Sequence, residues 1–222
     1  MQRRSSAPAD AQTTHSDCEF CQLDSIAMYI LKETANFRIV ADHAPLIEGH
    51  LLIIPRQHYA CYGAVPAELD DELLSLKQEV RLFFEQYYAP PVYWEHGVFR
   101  QTVFHAHLHC FPFGDIGYVP DPKQHWQRVY SQADIRDWYN KHGYYFYMED
   151  SKQALLFAPN MDDYMYIIRD VLGAGVAARN KRFTPPRSSQ QRQLEGKPLI
   201  EALTVKWQQF QQQQNGNIEK ER

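Results

Sequence analysis

Apolar and polar residues recur with two different periods along the first half of the chain. Short apolar runs predict strands over residues 37–41 and 49–55, and a short helix is expected around residues 23–32. An apolar stripe at steps of four and three residues then predicts a long helix that packs on a sheet, followed by a strand over residues 92–97. The stripe consists of Leu69, Leu73, Leu76, Val80, Phe83 and Tyr87.

Strict alternation appears in residues 101–111, where three histidines occupy every second position. If this segment is a strand, His105, His107 and His109 lie on one face of it. The other face would then pack on the core through Phe104, Ala106, Leu108 and Cys110. Three imidazoles on the open face of a half-buried strand mark the place where we expect the chemistry.

The second half of the chain has a different pattern. A segment rich in Gly and Pro at residues 114–123 predicts a linker. A helix is predicted over residues 131–142, with Gly143 as its stop signal, and a hairpin over residues 144–158. A further helix is expected to end near residue 172.

These elements predict an α+β fold in which neighbouring strands are mostly antiparallel. We expect a disordered lead-in at residues 1–16, a compact domain at 17–112, an α+β extension at 113–184 and a polar, glutamine-rich tail at 185–222. The tail holds one helical patch, over residues 198–214, and is expected to be mobile or to be ordered only by a partner.

Composition and charge restrict the class of partner. The chain has 222 residues, of which 44% are hydrophobic, and a formal net charge of −4. This charge gives no sign of a polyanion-binding surface, so we expect no nucleic acid as a bulk partner. No apolar run approaches the length of a membrane span, and the polar N-terminus lacks the apolar stretch of a signal peptide. We therefore expect a cytoplasmic protein without a membrane partner.

Two groups of residues carry candidate chemistry. The three histidines could be core residues satisfied by hydrogen bonds, ligands of a catalytic metal, or a nucleophile with two supporting imidazoles. Cys18 and Cys21 form a Cys-x-x-Cys pair, which in this setting is more often a metal clip or a redox motif than part of a disulfide scaffold. Cys61 and Cys110 have no partner by spacing and are expected to be buried.

The histidine segment resembles the triad motif of the histidine-triad (HIT) superfamily of nucleotide hydrolases and transferases. The motif here is His105-Ala-His107-Leu-His109, and Gln101-Thr-Val-Phe before it is similar to the family's Gln-x-Val-x run. The resemblance covers residues 17–112. It implies a HIT-like antiparallel sheet with a long packed helix in a catalytic domain, plus a C-terminal α/β extension that it does not cover.

Two further segments add to the resemblance. Residues 49–58, from Gly49-His50 to a Pro-basic-x-His ending, are similar to the family's second signature, and Asp42 stands in the loop before them. Cys18-Glu-Phe20-Cys21 is similar to its N-terminal Cys-x-Phe-Cys motif. The three segments occur in the family's order and spacing.

The resemblance implies a reaction at the α-phosphate of a nucleoside 5′-phosphoryl compound, such as a dinucleoside polyphosphate or a nucleotide phosphoramidate. His107 would attack the phosphorus and form a phosphohistidine that water hydrolyses, while its other ring nitrogen donates to a backbone carbonyl. His109 and Gln101 would donate to phosphate oxygens, and His50 would lie near the triad as a supporting or phosphate-side group. The implied activity is that of a nucleotide hydrolase.

The resemblance also implies binding sites for the nucleoside and for a metal. Asp42 would contact the ribose hydroxyls, and it could equally be a turn or capping residue. The base would be enclosed by Phe20, Leu23, Val40 and Leu52, each of which could equally be ordinary core. A structural zinc ion would be held by Cys18, Cys21, His58 and His105. A homodimer formed by the long helix and a shared sheet is implied as well.

The sequence departs from the family pattern just before the triad. An Asn-x-Gly segment is usual there, whereas this chain has Glu95-His96-Gly97. Glu95 and His96 could belong to the phosphate-side wall or be exposed residues at a strand end, and the second interpretation is preferred. Arg100 could attract a polyphosphate or be a solvated charge.

Three other functions remain open at the level of sequence. A nucleotidyltransferase or phosphorylase would use the extension to bind an acceptor in place of water. A nucleotide-binding sensor would keep the pocket without catalysis and bind partners through the tail. A metallohydrolase would bind a catalytic metal directly through His-x-His-x-His.

Overall fold

The computed structural model describes residues 17–116, 118–120, 125–166, 170 and 188–220, and its centre is one antiparallel sheet of eight strands. In chain order the strands are β1 (Ile30–Glu33), β2 (Phe37–Ala41), β3 (Leu51–Pro55), β4 (Val92–Glu95), β5 (Leu108–Phe111), β6 (Trp126–Arg128), β7 (Phe146–Glu149) and β8 (Ala154–Phe157). Their order across the sheet is β1-β2-β3-β5-β4-β7-β8-β6. The α+β prediction is confirmed. The expected lead-in at 1–16 lies outside the described residues, as does the end of the helix expected near residue 172.

Helices pack on both faces of this sheet. Within the described residues they are α1 (Leu23–Ile26), α2 (Asp70–Tyr87), α3 (Gln132–His142), α4 (Met161–Tyr166) and α5 (Ser189–Lys220). The predicted stripe of α2 is buried at Leu73, Leu76, Val80 and Phe83, and it packs against every second residue of β2 and β3. On the opposite face of the sheet, α1 packs through Ile26 and α4 through Tyr164.

The segment after Pro112 continues the same sheet. β7 pairs with β4 in register from Tyr93↔Glu149 to Glu95↔Tyr147, and β8 and β6 follow outward. The predicted helix α3 begins after Ser131, whose backbone N–H donates to Asp134, and it ends at Gly143 in the left-handed conformation with φ 77°. The predicted hairpin is present as β7 and β8.

In the tail, the helix α5 spans Ser189–Lys220 and is longer than the predicted helical patch over residues 198–214. Leu203, Trp207 and Phe210 of α5 are buried at steps of four and three residues. The rings of Trp207 and Phe210 lie 4.8 and 5.5 Å from the ring of Phe83 in α2. An apolar stripe within a glutamine-rich segment therefore fastens α5 to the core.

Two local predictions differ from the structure. The helix expected around residues 23–32 is only α1 and a 3₁₀ turn, because Ile30 already pairs with Val40 in the sheet. The histidine segment is a strand only from Leu108 onward. The residues before Leu108 form a loop, in which the backbone N–H of Ala106 donates to the carbonyl oxygen of Tyr59. Phe104, predicted to face the core, is 65% exposed. Among the residues described, no helix is both long and apolar enough to cross a membrane.

Candidate functional site

The three histidines meet where an irregular loop enters β5. His105 and His107 belong to the loop and are buried, whereas His109 lies in β5 and is half-buried. His109 is the direct cross-strand partner of Leu52 in β3 and of Trp94 in β4, so these side chains share the face of the sheet opposite α2. The rings of His107 and His109 are 4.9 Å apart.

His107 has its two ring nitrogens in different environments. Nδ1 is 2.6 Å from the carbonyl oxygen of His105, so Nδ1 carries the proton and donates it to this bond. The lone pair of the neutral ring is therefore on Nε2. Burial lowers the pKa of His107, which keeps the ring neutral at pH 7. A neutral imidazole held in this tautomer is a nucleophile whose reactive atom is fixed.

His50 and His109 form a directional pair beside His107. The backbone N–H of Leu46 donates to Nδ1 of His50 at 3.4 Å, so His50 carries its proton on Nε2. That Nε2 lies 3.0 Å from Nδ1 of His109 and donates to it, and it is 3.5 Å from a carboxylate oxygen of Asp42. His109 is thereby left with its proton on Nε2. The pair presents an N–H donor while remaining uncharged.

Burial keeps both members of this pair neutral. The pKa of His50 is lowered to about 4, mainly by loss of solvation, although Asp42 acts in the opposite direction. The pKa of His109 is lowered well below its usual value by burial and by the neighbouring imidazoles. At pH 7 these imidazoles supply hydrogen bonds rather than positive charge.

A cavity of about 420 Å³ lies in front of these histidines. Its wall includes His50, His107, His109 and Asp42, four residues predicted from the sequence. Asp42 is fixed by the N–H of Ala44, which donates to Oδ1 at 2.7 Å. The three histidines predicted to be catalytic and the predicted ribose ligand thus line one cavity.

A second cavity of about 340 Å³ adjoins the first and shares Glu19, His43 and Gln193 with it. The predicted base-enclosing residues Phe20, Val40 and Leu52 line this second cavity. The ring of Phe20 also lies edge-on to His107, at 5.4 Å between centroids. The first cavity, which contains the histidines expected to contact phosphate, is called the phosphate-side cavity below, and the second, with its wall of Phe20, Val40 and Leu52, is called the apolar cavity.

Two predicted residues do not join this group. Leu23 is 49% exposed and lines neither cavity. Gln101 is buried, but its amide nitrogen donates to the carbonyl oxygen of Ala60 at 2.9 Å, and its side chain is not part of the cavity wall. In this structure Gln101 joins the triad loop to the segment after β3.

Other wall residues were not anticipated from the sequence. Tyr29 and His43 contact each other, with ring centroids 6.2 Å apart, and line the apolar cavity. Ser189, Arg192 and Gln193 at the start of α5 line the phosphate-side cavity. No local motif marks them, because their place depends on how α5 packs against the distant loop before β3.

In the Glu-His-Gly segment at the end of β4, Glu95 and Gly97 are buried and His96 is half-buried. Glu95 is enclosed in the core, where its carboxylate accepts from the N–H of Tyr62 at 2.7 Å and from the hydroxyl of Tyr145 at 2.6 Å. His96 lines the phosphate-side cavity, and burial lowers its pKa to about 4. The preferred interpretation of these residues as an exposed strand end is wrong for this structure.

A second cluster lies on the other side of His105. The ligand atoms of Cys18, Cys21, His58 and His105 all lie within 4.8 Å of one another. Three separations between sulfur and Nδ1 measure 3.3, 3.4 and 3.5 Å. In a tetrahedral zinc site, bond lengths of about 2.3 Å to sulfur and about 2.05 Å to nitrogen place these atoms about 3.6 Å apart. The donor set and its spacing fit a closed tetrahedral metal site.

His105 connects this cluster with the triad. Its Nε2 is 2.8 Å from the carbonyl oxygen of Pro55 and donates to it, which leaves the lone pair on Nδ1, the atom that faces both thiols. The carbonyl of His105 accepts from Nδ1 of His107. One residue therefore joins the cysteine cluster to the tautomer of the candidate nucleophile.

Comparison with known proteins gives consistent matches. The profile of the family described as "Protein similar to CwfJ C-terminal" matches residues 7–117. A HIT-like protein of Mycoplasma genitalium is 28% identical over 112 residues, which are 48% of this chain and 79% of that protein. The adenosine 5′-monophosphoramidase of Candida albicans is 29% identical over 112 residues, 46% of this chain and 74% of that one. A zinc-bound histidine triad family protein from Mycobacterium smegmatis, solved as a crystal structure, is 23% identical over 56% of this chain and 94% of its own, with a TM-score of 0.38.

The family match extends over half of the chain and includes all three segments that carry the resemblance. With the triad, the cysteine cluster and the antiparallel sheet in one unit, the chain belongs to the HIT-like family described as similar to the CwfJ C-terminal region, and so to the histidine-triad superfamily.

Proposed function

We propose that the protein is a nucleotide hydrolase that cleaves a nucleoside 5′-phosphoryl compound at the α-phosphate. The observation that carries the proposal is the 2.6 Å bond from Nδ1 of His107 to the carbonyl of His105, which leaves the Nε2 lone pair of a cavity-lining histidine as the nucleophile. The relative from Candida albicans, named as an adenosine 5′-monophosphoramidase, belongs to the same class of reaction.

The proposed reaction has two steps at one phosphorus atom. First, the Nε2 lone pair of His107 forms an N–P bond while the bond from phosphorus to the leaving atom breaks, and the bonding electrons depart with that atom. The ring then carries positive charge, which the His105 carbonyl stabilises through the retained Nδ1–H. Water next forms an O–P bond as the N–P bond breaks, its proton is released to the phosphate or to solvent, and the neutral imidazole is restored.

His109 would support the phosphorus centre during both steps. With Nδ1 accepting from His50, its Nε2–H is the donor available to an equatorial phosphate oxygen. Asp42, in the wall of the phosphate-side cavity, would accept from ribose hydroxyls, and Phe20, Val40 and Leu52 in the adjoining cavity would contact the base.

We propose in addition that Cys18, Cys21, His58 and His105 hold a structural zinc ion. Two thiolates and two imidazoles complete a tetrahedral shell without an open position, so the metal would stabilise the fold and the orientation of His105 rather than activate water. The fit of the sulfur–nitrogen separations supports this assignment.

The test compares wild type with His107→Ala on diadenosine polyphosphates and adenosine 5′-phosphoramidate, with products followed by phosphorus NMR. We expect wild type to release a nucleoside monophosphate and the variant to lose this activity by more than about a thousandfold. His125→Ala, which removes an exposed histidine ahead of β6, is the matched control and should be fully active. A rapid quench with labelled substrate should trap label on wild type and not on His107→Ala.

Other outcomes identify the alternatives. Equal turnover by wild type and His107→Ala contradicts the nucleophile assignment and favours a metallohydrolase. Products that change when phosphate or a second nucleotide is added favour a transferase or phosphorylase. Nucleotide binding without turnover of any compound favours a sensor.

A further inference from the structure

Two arginines line the phosphate-side cavity from opposite parts of the chain. Arg100 lies in the turn between β4 and the triad loop, and Arg192 lies near the start of α5. They share the cavity wall with His50 and His109. Neither belongs to the predicted catalytic set, and Arg192 comes from the segment that the family match does not cover.

The position of Arg192 is fixed by contacts between α5 and the loop before β3. Its Nε–H donates to the carbonyl oxygen of Ala44 at 3.1 Å. One turn further on, a Cβ atom on Gly196 would lie 2.5 Å from Cδ of Pro45, so α5 can approach this loop closely only because residue 196 is glycine. Lys206 pairs with Glu48 at 2.6 Å near the end of the same loop. These contacts hold the guanidinium of Arg192 at the cavity.

The position of Arg100 is fixed by a strained turn. Gly97, Val98 and Arg100 have φ values of 51°, 79° and 53°, and a positive φ is unusual for a β-branched residue such as Val98. A Cβ atom on Gly97 would lie 2.4 Å from the carbonyl oxygen of Tyr145, whose own N–H donates to the Gly97 carbonyl at 3.1 Å. The guanidinium of Arg100 lies 5.8 Å from the ring of Tyr164 in α4. Residues after Pro112 therefore supply Arg192 and support Arg100.

The wall of the phosphate-side cavity contains both positively and negatively charged side chains. Arg100 and Arg192 are permanently cationic, while Glu19 and Asp42 in the same wall are acidic. Glu19 also lines the apolar cavity, which places it toward the nucleoside. Positive charge for a phosphate chain comes from the arginines, since burial keeps His50 and His109 uncharged.

We propose that Arg100 and Arg192 bind the phosphate of the leaving group, next to the phosphate that His107 attacks, so that the substrate is a nucleoside 5′-polyphosphate rather than a phosphoramidate. The naming of a leaving group rests on the proposed hydrolase function. The guanidiniums would bind the β-phosphate oxygens in pairs of hydrogen bonds, and the residues after Pro112, which include α5, would help to select the substrate.

The charge that develops on the leaving group agrees with this assignment. When the P–O bond to a β-phosphate breaks, the electron pair stays on an oxygen whose negative charge two guanidiniums stabilise, and no proton has to be supplied. When the P–N bond of a phosphoramidate breaks, the amine must take up a proton. The neutral imidazoles of His50 and His109 donate hydrogen bonds but are weak proton donors.

Binding measurements without divalent cations test the proposal independently of catalysis. Affinities for AMP and ADP are measured by calorimetry on the full chain as wild type, Arg192→Ala and Arg192→Lys. We expect wild type to bind ADP at least about tenfold more tightly than AMP, as charge-assisted hydrogen bonds to one more phosphate provide. Arg192→Ala should lose most of this ratio with little change for AMP, and Arg192→Lys should recover part of it. Arg81→Ala, an exposed arginine of α2, is the control for loss of charge.

The outcomes separate this proposal from the hydrolase itself. Equal affinity of wild type for AMP and ADP, or an Arg192→Ala variant that weakens both nucleotides by one factor, overturns the role of Arg192. Absence of binding by either nucleotide overturns it too. A wild type that discriminates ADP from AMP as expected, but turns over no nucleotide, supports the arginine site and contradicts the proposed hydrolysis. Faster cleavage of the phosphoramidate than of the polyphosphate contradicts the assignment of the leaving group.

Discussion

Glu95 is a buried carboxyl group at the end of β4. Its two hydrogen bonds connect β4 with the segment after β3 and with the residue that precedes β7. Tyr62 and Tyr145 donate to its two oxygens, and these bonds favour the ionised form. Burial acts more strongly in the opposite direction and raises the pKa of Glu95 to about 7. The turn that carries His96 and Arg100 begins at this residue, so its protonation bears on the stability of the site.

The raised pKa makes a prediction for Glu95→Gln. Between pH 4.5, the usual pKa, and about pH 7, the folded chain holds the Glu95 proton more tightly than the unfolded chain, so this carboxyl makes folding less favourable as pH rises. The free energy of unfolding of the variant, relative to wild type, should therefore increase across this window by about 1–3 kcal/mol. Urea unfolding at several pH values measures it. Exposed Glu68→Gln is the control, and parallel curves for Glu95→Gln and wild type would contradict the raised pKa.

The positions of single residues could be predicted from the sequence only in part. The family resemblance implied a common site for His50, His107, His109 and Asp42, and these four residues do line one cavity. Alternation failed at Phe104, since a period of two carries meaning only where the backbone is a strand. The triad loop instead bonds to Tyr59 and Ala60, and nothing in the local sequence indicates that contact.

At the scale of elements, periodicity predicted α2, α3 and the β7–β8 hairpin because each buries its apolar residues against the sheet in a regular pattern. It underestimated α5, because its buried Leu203, Trp207 and Phe210 stand in a mainly polar segment rich in exposed glutamines. The close approach of Gly196 to Pro45 could not be predicted from either segment alone, because it depends on how two segments distant in sequence pack together. Long-range packing of this kind decides which residues of α5 reach the cavity.

The cysteine cluster attaches the N-terminal segment to the sheet, together with the buried side chains of Phe20 and Ile26, and this gives a prediction for metal removal. Cys18 and Cys21 precede α1, whereas His58 follows β3 and His105 precedes β5, so the cluster crosslinks three segments. We expect one zinc per chain by metal analysis, and about half that or less in Cys21→Ser. Chelation should lower Tm first, with activity lost slowly as the segment detaches.

The control for the metal prediction is Cys61→Ala, which removes a buried thiol elsewhere and should keep the full zinc content. Immediate loss of activity on chelation, at a temperature where the chain stays folded, would contradict a structural role. A Tm unaffected by chelator, with no zinc in the purified protein, would contradict the metal assignment.

At the scale of the whole molecule, the extension changes which surfaces remain for self-association. A sheet is shared between subunits through an edge strand. Residues 17–112 alone would end their sheet at β1 and β4, but β4 is paired with β7 of the same chain. α2 likewise contacts α5 through Phe83. The two elements expected to form a dimer are thus partly covered by the chain's own extension.

We therefore expect a monomer, by light scattering, at micromolar concentration. The edges left in the sheet are poor templates: β6 has three residues, and β1 carries Lys32 and Glu33 together with an irregular register after Ile30. Charged side chains and a bulge are features that keep edge strands from pairing with a second chain. A dimer would contradict this reasoning and restore the interface implied by the family. Leu74 and Leu82, the exposed leucines of α2, would then be the first residues to replace by glutamate, since loss of the dimer in that variant would locate the contact on this helix.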